Sequence, residues 1–393
     1  MTLDRRIVTL LACLTVGTVV GVWYAVTHHE RTQSYDDDDN DTDAEPGTFA
    51  STSLKSVTVV FRHGDRSPAF DYKTFPNIYE NNFPEGKGQL TKIGKQHMYQ
   101  KGKLFRRLYN GFISDLYLDH EILVKTTKYS RTFMSAAMVL AGMYPPKYYQ
   151  KWSFSETVWQ PIPISNDSPD QTMLFRNGSC PYTIWFMKND NDVIINNYNE
   201  TQIEELLSHL SEKCGIPINI EAMFDLYDLF KSMISNELQL PEWINHEQFQ
   251  LMELIYYEQT RRVYNNKKIQ NIIIGPLIKQ ISLNMELQSN SPDYIKTKNN
   301  MHLYAGHDMT LGTMMYFLGN NKIKLPDFGA SAHFHLYLNK TIKVFYYNKW
   351  DNENGEEMSI PKCGYSCNLD DFVNLINNEM STEWEQDCQI EGN

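Results

Sequence analysis

The chain has 393 residues, 41% hydrophobic and 13% aromatic, the composition of a folded globular protein and not of a disordered one. That length holds one large domain or two closely packed ones around a sizeable core. A formal net charge of −12 argues against a nucleic-acid or general polyanion surface.

Arg5 and Arg6 precede an uncharged apolar run from Ile7 to Ala25, enough to cross a bilayer, which takes about 20 residues. A cleaved signal peptide has a shorter apolar core and a small-x-small exit, and neither is evident before His28 and His29. An uncleaved signal anchor over 7–27 is therefore favoured, with residues 1–6 cytosolic and the remainder lumenal or extracellular, in the lysosome or at the cell surface. Cleavage would instead make the protein secreted. Sequons at Asn40, Asn166, Asn177, Asn199 and Asn339 fit that route, and the last four are expected to carry glycans. Of six cysteines, Cys13 lies in the apolar run, leaving Cys180, Cys214, Cys363, Cys367 and Cys388, an odd set with one thiol over. Residues 28–53 read as a solvated acidic stalk, since Asp36 to Asp39 and their neighbours repel one another and show no apolar periodicity. The run lacks the glycine turn and closing glutamate of an EF-hand loop.

The globular part, 54–393, opens with Val57 to Phe61, an uninterrupted apolar, β-branched stretch that reads as a strand buried on both faces and implies a parallel sheet. A polar loop, Arg62 to Pro68, follows, then a helix from Thr91 to Tyr109. Strand, loop and helix in that order fit an α/β fold. Further helices are expected over Ile220 to Ile234 and Glu247 to Tyr264, where apolar residues recur at helical spacing. Ile272 to Ile274, before Gly275 and Pro276, reads as a short buried strand, and Met301 to Ala305 as another. A hairpin follows, with Ala332, Phe334, Leu336 and Leu338 alternating against His333, His335 and Tyr337, and a return strand from Ile342 to Tyr347. His333 and His335 share a strand face and could hold a metal, but a solvated or hydrogen-bonded face is the stronger reading.

Two polar groups carry the chemistry. Arg62, His63, Gly64, Asp65, Arg66, Ser67 and Pro68 sit at the carboxyl end of the first strand, where open α/β sheets place their ligand crevices. Arg62 and Arg66 can clamp a phosphoryl group with paired donors while the histidine between them attacks phosphorus in line. Their charges lower the imidazole pKa and keep the nucleophile neutral in mild acid. At Gly306 to Thr310 a second polar group again follows a strand: His307 can donate to a phosphate oxygen and Asp308 can protonate the leaving alkoxide. Taken alone, Asp308 would be read as a helix N-cap.

With these motifs in place, the chain resembles the histidine acid phosphatases, branch 2 of the histidine phosphatase superfamily, from about Val57 to Cys388. Gly88, Leu90, Thr91 and Gly94 are similar to the family's Gly-x-Leu-Thr-x-x-Gly stretch, and Arg131 to Ala136 to its third-arginine motif. Trp159 to Pro163, Gly275 to Leu277 and Tyr346 to Asn348 are similar as well. The resemblance implies an α/β fold, a three-layer, phosphoglycerate-mutase-like phosphatase core with a mostly helical cap within about 71–262. It implies His63 as the phosphorylated residue, Asp308 as proton donor and Arg62, Arg66, Arg131 and His307 as phosphate ligands. It also implies Cys180–Cys388 and Cys363–Cys367 disulfides, with Ser331 where the partner of Cys214 would lie, and no metal or cofactor. Lys128 and Ser130 replace acids that in the family help to position the third arginine. The expected reaction is hydrolysis of a small phosphomonoester through a phosphohistidine, by a monomer or a homodimer. The rivals are a phosphatase specialised for an inositol phosphate, a phosphorylated sugar or a lysophospholipid, and a non-catalytic surface or venom protein retaining the fold.

Overall fold

The computed structural model describes residues 49, 53–70, 72, 74–75, 77–153, 159–166, 180–189, 199–291, 299–321, 325–380 and 383–390. These belong to one unit, Pro46–Asn393. The expected anchor at 7–27 and most of the stalk lie outside the described residues, and among those described no helix is long and apolar enough to cross a membrane.

In chain order the first half contains β1 (Leu54–Arg62), α1 (Ile78–Asn82), α2 (Lys92–Leu108), β2 (Ile122–Thr126), α3 (Ser130–Met143), α4 (Pro181–Asn189), α5 (Glu200–Cys214) and α6 (Ile220–Ser235). The second half contains α7 (His246–Asn265), α8 (Lys267–Ser289), β3 (Met301–Gly306), α9 (Asp308–Phe317), β4 (Ser331–Tyr337), β5 (Thr341–Tyr347), β6 (Glu356–Met358), β7 (Cys367–Asn368), α10 (Leu369–Glu379) and α11 (Trp384–Asp387).

Side chains alternate across a strand, so β1 sends Val57, Val59 and Phe61 to one face and Val60 to the other. The first set packs with α2 and α3, the second with α8, α9 and α10, which gives three layers. Strand order is β2-β3-β1-β4-β5-β6, with β7 also on β5. The expectation of a parallel sheet holds for β1, β2 and β3 alone. From β4 onward the pairing is antiparallel, because the β4–β5 hairpin docks against β1 in the opposite sense, and the sheet is mixed. A third apolar cluster, apart from the sheet, gathers α1, α5, α6 and the first turns of α7 around Phe83, Leu210, Met223, Phe230 and Met252.

Ile272 to Ile274 is not a strand. It lies inside α8, where Ile269, Ile273, Leu277, Ile281 and Met285 continue the helical stripe. A short β-branched run has no period of its own, and its neighbours decide. Pro276 sits within this helix and cannot donate to the carbonyl of Ile272. That carbonyl instead accepts from the Trp384 indole Nε1–H at 3.3 Å, beside the Cys180–Cys388 disulfide.

The β4 histidines occupy a face covered by α2, so they are buried and not solvated. The Tyr109 hydroxyl lies 2.5 Å from Nδ1 of His333 and 2.9 Å from Nε2 of His335, and Ser331 Oγ lies 2.9 Å from Nε2 of His333. Burial pulls His335 down to about 3, and His333 also falls far below its usual value through burial and the nearby Lys101.

Two outcomes follow. Trp384→Phe should cost about 1–2 kcal/mol in urea denaturation with disulfides intact, by orphaning a carbonyl. In a Pro276→Ala background, where the helix supplies its own N–H, that cost should shrink. Separately, the unfolded chain protonates its histidines below about 6.5 while native His335 resists until about 3, so falling pH favours unfolding across that window. His335→Gln should flatten the dependence of the urea midpoint on pH between those limits, by up to about 1.4 kcal/mol per unit.

Candidate active site

The loop after β1 is fixed at both ends by backbone bonds: Arg62 N–H donates to Ala330, His63 N–H to Gly306, and the His63 carbonyl accepts from Gly329. It therefore bridges the ends of β3 and β4. It also presses on the start of α2, where a Cβ on Gly94 would stand 2.0 Å from the Asp65 carbonyl and one on Gly64 2.6 Å from Met98. Only glycine allows this approach. The same Asp65 carbonyl accepts from the amide and hydroxyl of Thr91, whose oxygen caps α2 by accepting from Gly94 N–H. Gly94 and Thr91, both from the Gly-x-Leu-Thr-x-x-Gly stretch, thus clamp the Arg62–Pro68 loop.

Arg62, His63, Arg66 and His307 are all buried, and Arg131 reaches the same place from the first turn of α3. Arg62 donates to the Pro326 carbonyl at 2.7 Å and pairs with Asp308 at 2.8 Å, its guanidinium 4.1 Å above the Phe328 ring. Arg66 grips the Asp228 carboxylate with both terminal nitrogens. Arg131 has no carboxylate partner among the described residues; it lies 4.4 Å over the Tyr129 ring and 3.4 Å from the Gly88 carbonyl. Each of the three arginines also buries an Nε–H that finds no acceptor. Buried donors are almost always satisfied, so three orphans on neighbouring cations mark an anion site.

Nδ1 of His63 faces the Gly64 carbonyl at 2.8 Å, and a carbonyl can only accept. The proton therefore sits on Nδ1 and the Nε2 lone pair is left for chemistry. Burial, and then the charges of Arg131 and Arg62, hold this imidazole far below its usual pKa. His307, whose ring centroid is 5.5 Å from that of His63, is pulled down to about 3 by burial and Arg131, and its Nε2 meets Thr127 Oγ1 at 3.1 Å. His307, not Asp308, is the N-cap of α9; Asp308 is its first helical residue. Burial pushes the Asp308 carboxyl up, but Arg62 and His307 outweigh it, so the group is ionised with its pKa below the ordinary value. For Arg131, burial and Arg66 bring the pKa down to about 10.

The roles of several residues here were not read from the sequence, although Ser135 falls in the third-arginine motif. Asp228 on α6 holds Arg66 and also accepts from the Ala69 amide at 3.1 Å and the Tyr72 hydroxyl at 3.2 Å. Ser135 links the loop to the third arginine, accepting from Gly64 N–H at 3.0 Å and donating to the Arg131 carbonyl at 2.7 Å. His97 braces Asp65 at 2.7 Å and stacks on Trp350. Tyr129 lies with its ring under the Arg131 guanidinium, between Lys128 and Ser130. Cys180–Cys388 and Cys363–Cys367 are bonded and Cys214 is free. Asn166, Asn199 and Asn339 are exposed, while Asn40 and Asn177 lie outside the described residues.

Comparison with known proteins shows clear relatives. Lysosomal acid phosphatase of Xenopus laevis is 30% identical over 351 residues, 86% of this chain and 79% of that protein. Prostatic acid phosphatase of Mus musculus is 29% identical over 355 residues, 85% of this chain and 89% of the other. Among solved structures, the apo phytase of Hafnia alvei superposes with a TM-score of 0.62 at 16% identity, covering 86% of this chain and 98% of that one. The phytase of Citrobacter braakii gives 0.63 at 14%, covering 86% and 100%. At such identities these two establish the fold alone. The profile of the histidine phosphatase superfamily (branch 2) matches residues 53–354, and the chain belongs to that family.

Proposed function

We propose that this chain hydrolyses phosphate monoesters through a covalent phosphohistidine on His63, with Asp308 as proton donor. One observation carries the reading: a neutral imidazole with a free Nε2 lone pair is buried among three guanidinium groups, each with an unanswered Nε–H. The lysosomal and prostatic acid phosphatases among its relatives support the same reaction.

Arg62, Arg66, Arg131 and His307 receive the phosphoryl oxygens. Arg62 spends part of its fork on Asp308 and helps to keep that carboxylate ionised. A phosphate ester brings negative charge and competes for Arg62, so the Asp308 pKa rises and the carboxyl takes up a proton at mildly acid pH. Nε2 of His63 then forms a bond to phosphorus as the ester P–O bond breaks, and the Asp308 proton goes to the departing oxygen. Water attacks the phosphohistidine in the second half, giving its proton to the Asp308 carboxylate, and the P–N bond breaks to release phosphate. The arginines stabilise the charge of both transition states. No step calls on a metal.

On this reading the third apolar cluster forms the cap, mostly within 71–262, and α6 and α7 wall the leaving-group side. The apolar run from Ile7 to Ala25 and the sequons, of which Asn166, Asn199 and Asn339 are exposed, support a secretory or lysosomal glycoprotein with a lumenal or extracellular catalytic domain, anchored over 7–27.

His63→Ala should lower kcat for an aryl phosphate by about 10⁴-fold or more and abolish radiolabel trapped on the protein after rapid alkaline quenching. Substantial retained turnover would remove His63 as the nucleophile. Asp308→Asn should damage alkyl phosphates more than p-nitrophenyl phosphate, by about 100-fold, because only a poor leaving group needs the proton. Equal losses on both substrates would contradict the proton-donor role.

A further inference from the structure

A cavity of about 590 Å³ opens from Arg62 and Asp308, room for a sizeable leaving group next to the phosphoryl position. Its walls include Tyr227 and Lys231 of α6 and Glu253, Tyr256 and Tyr257 of α7. The Tyr227 and Tyr256 rings have centroids 4.7 Å apart. Charge along these walls is mostly matched: Asp308 with Arg62, Asp228 with Arg66, and Asp327 at 3.9 Å from Lys231. Glu253 is the exception. It has no basic partner among the described residues, and its carboxylate accepts from the Tyr227 hydroxyl at 3.1 Å.

Beyond the phosphoryl end, then, the cavity is lined by tyrosines and one carboxylate with no basic partner among the described residues. Aromatic faces attract cations through the ring quadrupole, and a nearby carboxylate adds a Coulombic term of the same sign. A leaving group bearing further phosphates or a carboxylate meets repulsion at Glu253, and the net charge of −12 works in the same direction.

We infer that the leaving-group side of this cavity selects phosphomonoesters whose alcohol or phenol carries a positively charged amine, with Glu253 as the specificity-determining residue and Tyr227 and Tyr256 as its aromatic walls. This rests on the phosphatase reading above and narrows its substrate class away from polyphosphorylated compounds.

A matched series tests it: phenyl phosphates with a para 2-aminoethyl, ethyl or 2-carboxyethyl group, whose phenols leave with similar ease. Wild-type kcat/KM should favour the aminoethyl over the carboxyethyl ester by about tenfold at low salt. Glu253→Gln should bring that ratio to within about twofold of unity, and Glu253→Lys should invert it. Ratios are the readout because a poorly folded variant lowers all three rates alike. Calorimetric binding of the matching non-hydrolysable phosphonates to the same proteins reads the preference without turnover. A cation preference in binding with no hydrolysis would sink the phosphatase reading and uphold the subsite. No cation preference in the wild type, or one that Glu253→Gln leaves unchanged, would overturn the subsite whatever the turnover.

Discussion

Three guanidinium groups are buried around one imidazole, and like charges held that close in a poorly solvated space repel unless something answers them. Asp228 answers Arg66 and Asp308 answers Arg62, while Arg131 rests on the ring of Tyr129. Much of the surrounding structure follows from that balance. The two carboxylates come from different helices, α6 and α9, so both must be brought to the end of the sheet before the arginines can be buried at all. Burial, and then the residual positive charge of Arg131, keep His63 neutral, and that charge gives an acidic chain a place suited to an anion.

The loop from Arg62 to Pro68 was legible in the sequence because its context is local: a buried β-branched strand followed at once by polar residues. The same holds for His307 and Asp308 after β3, and for Thr91 at the start of α2. The roles of Asp228, Ser135 and Trp384 were not legible, because each acts through a partner far along the chain: Arg66, Gly64 and Ile272. Asp228 did leave one trace. It interrupts a run of buried residues, Leu226, Tyr227, Leu229 and Phe230, and a charge in such a stripe needs a partner. The error at Ile272 to Ile274 had the opposite cause. Three isoleucines in a row look alike in a strand and in a buried helix, and Pro276 argued for an end where the helix instead continues.

Burial has two consequences for the histidines. It keeps His63 unprotonated in acid, where its chemistry is proposed to run, and it holds His302, His333 and His335 neutral far from the site. The first serves the reaction; the others make the native state less stable as pH drops. Asp228 and Asp308 act in the same direction, since carboxyls with lowered pKa values lose their stabilising pairs as they protonate. The two disulfides and the apolar layers on both faces of the sheet do not titrate in that range and hold the fold independently of pH.

Asp228 belongs to α6, whose apolar neighbours Leu226, Tyr227, Leu229 and Phe230 join the third cluster, yet it receives the Arg66 fork, the Ala69 amide and the Tyr72 hydroxyl. Helix and loop are therefore mechanically one piece. A slide of α6 by the length of a hydrogen bond would drag the guanidinium with it, so widening the cavity for a bulkier ester and relaxing the grip on the phosphoryl group are the same motion. Breadth of substrate and retention of product trade against each other through a single carboxylate.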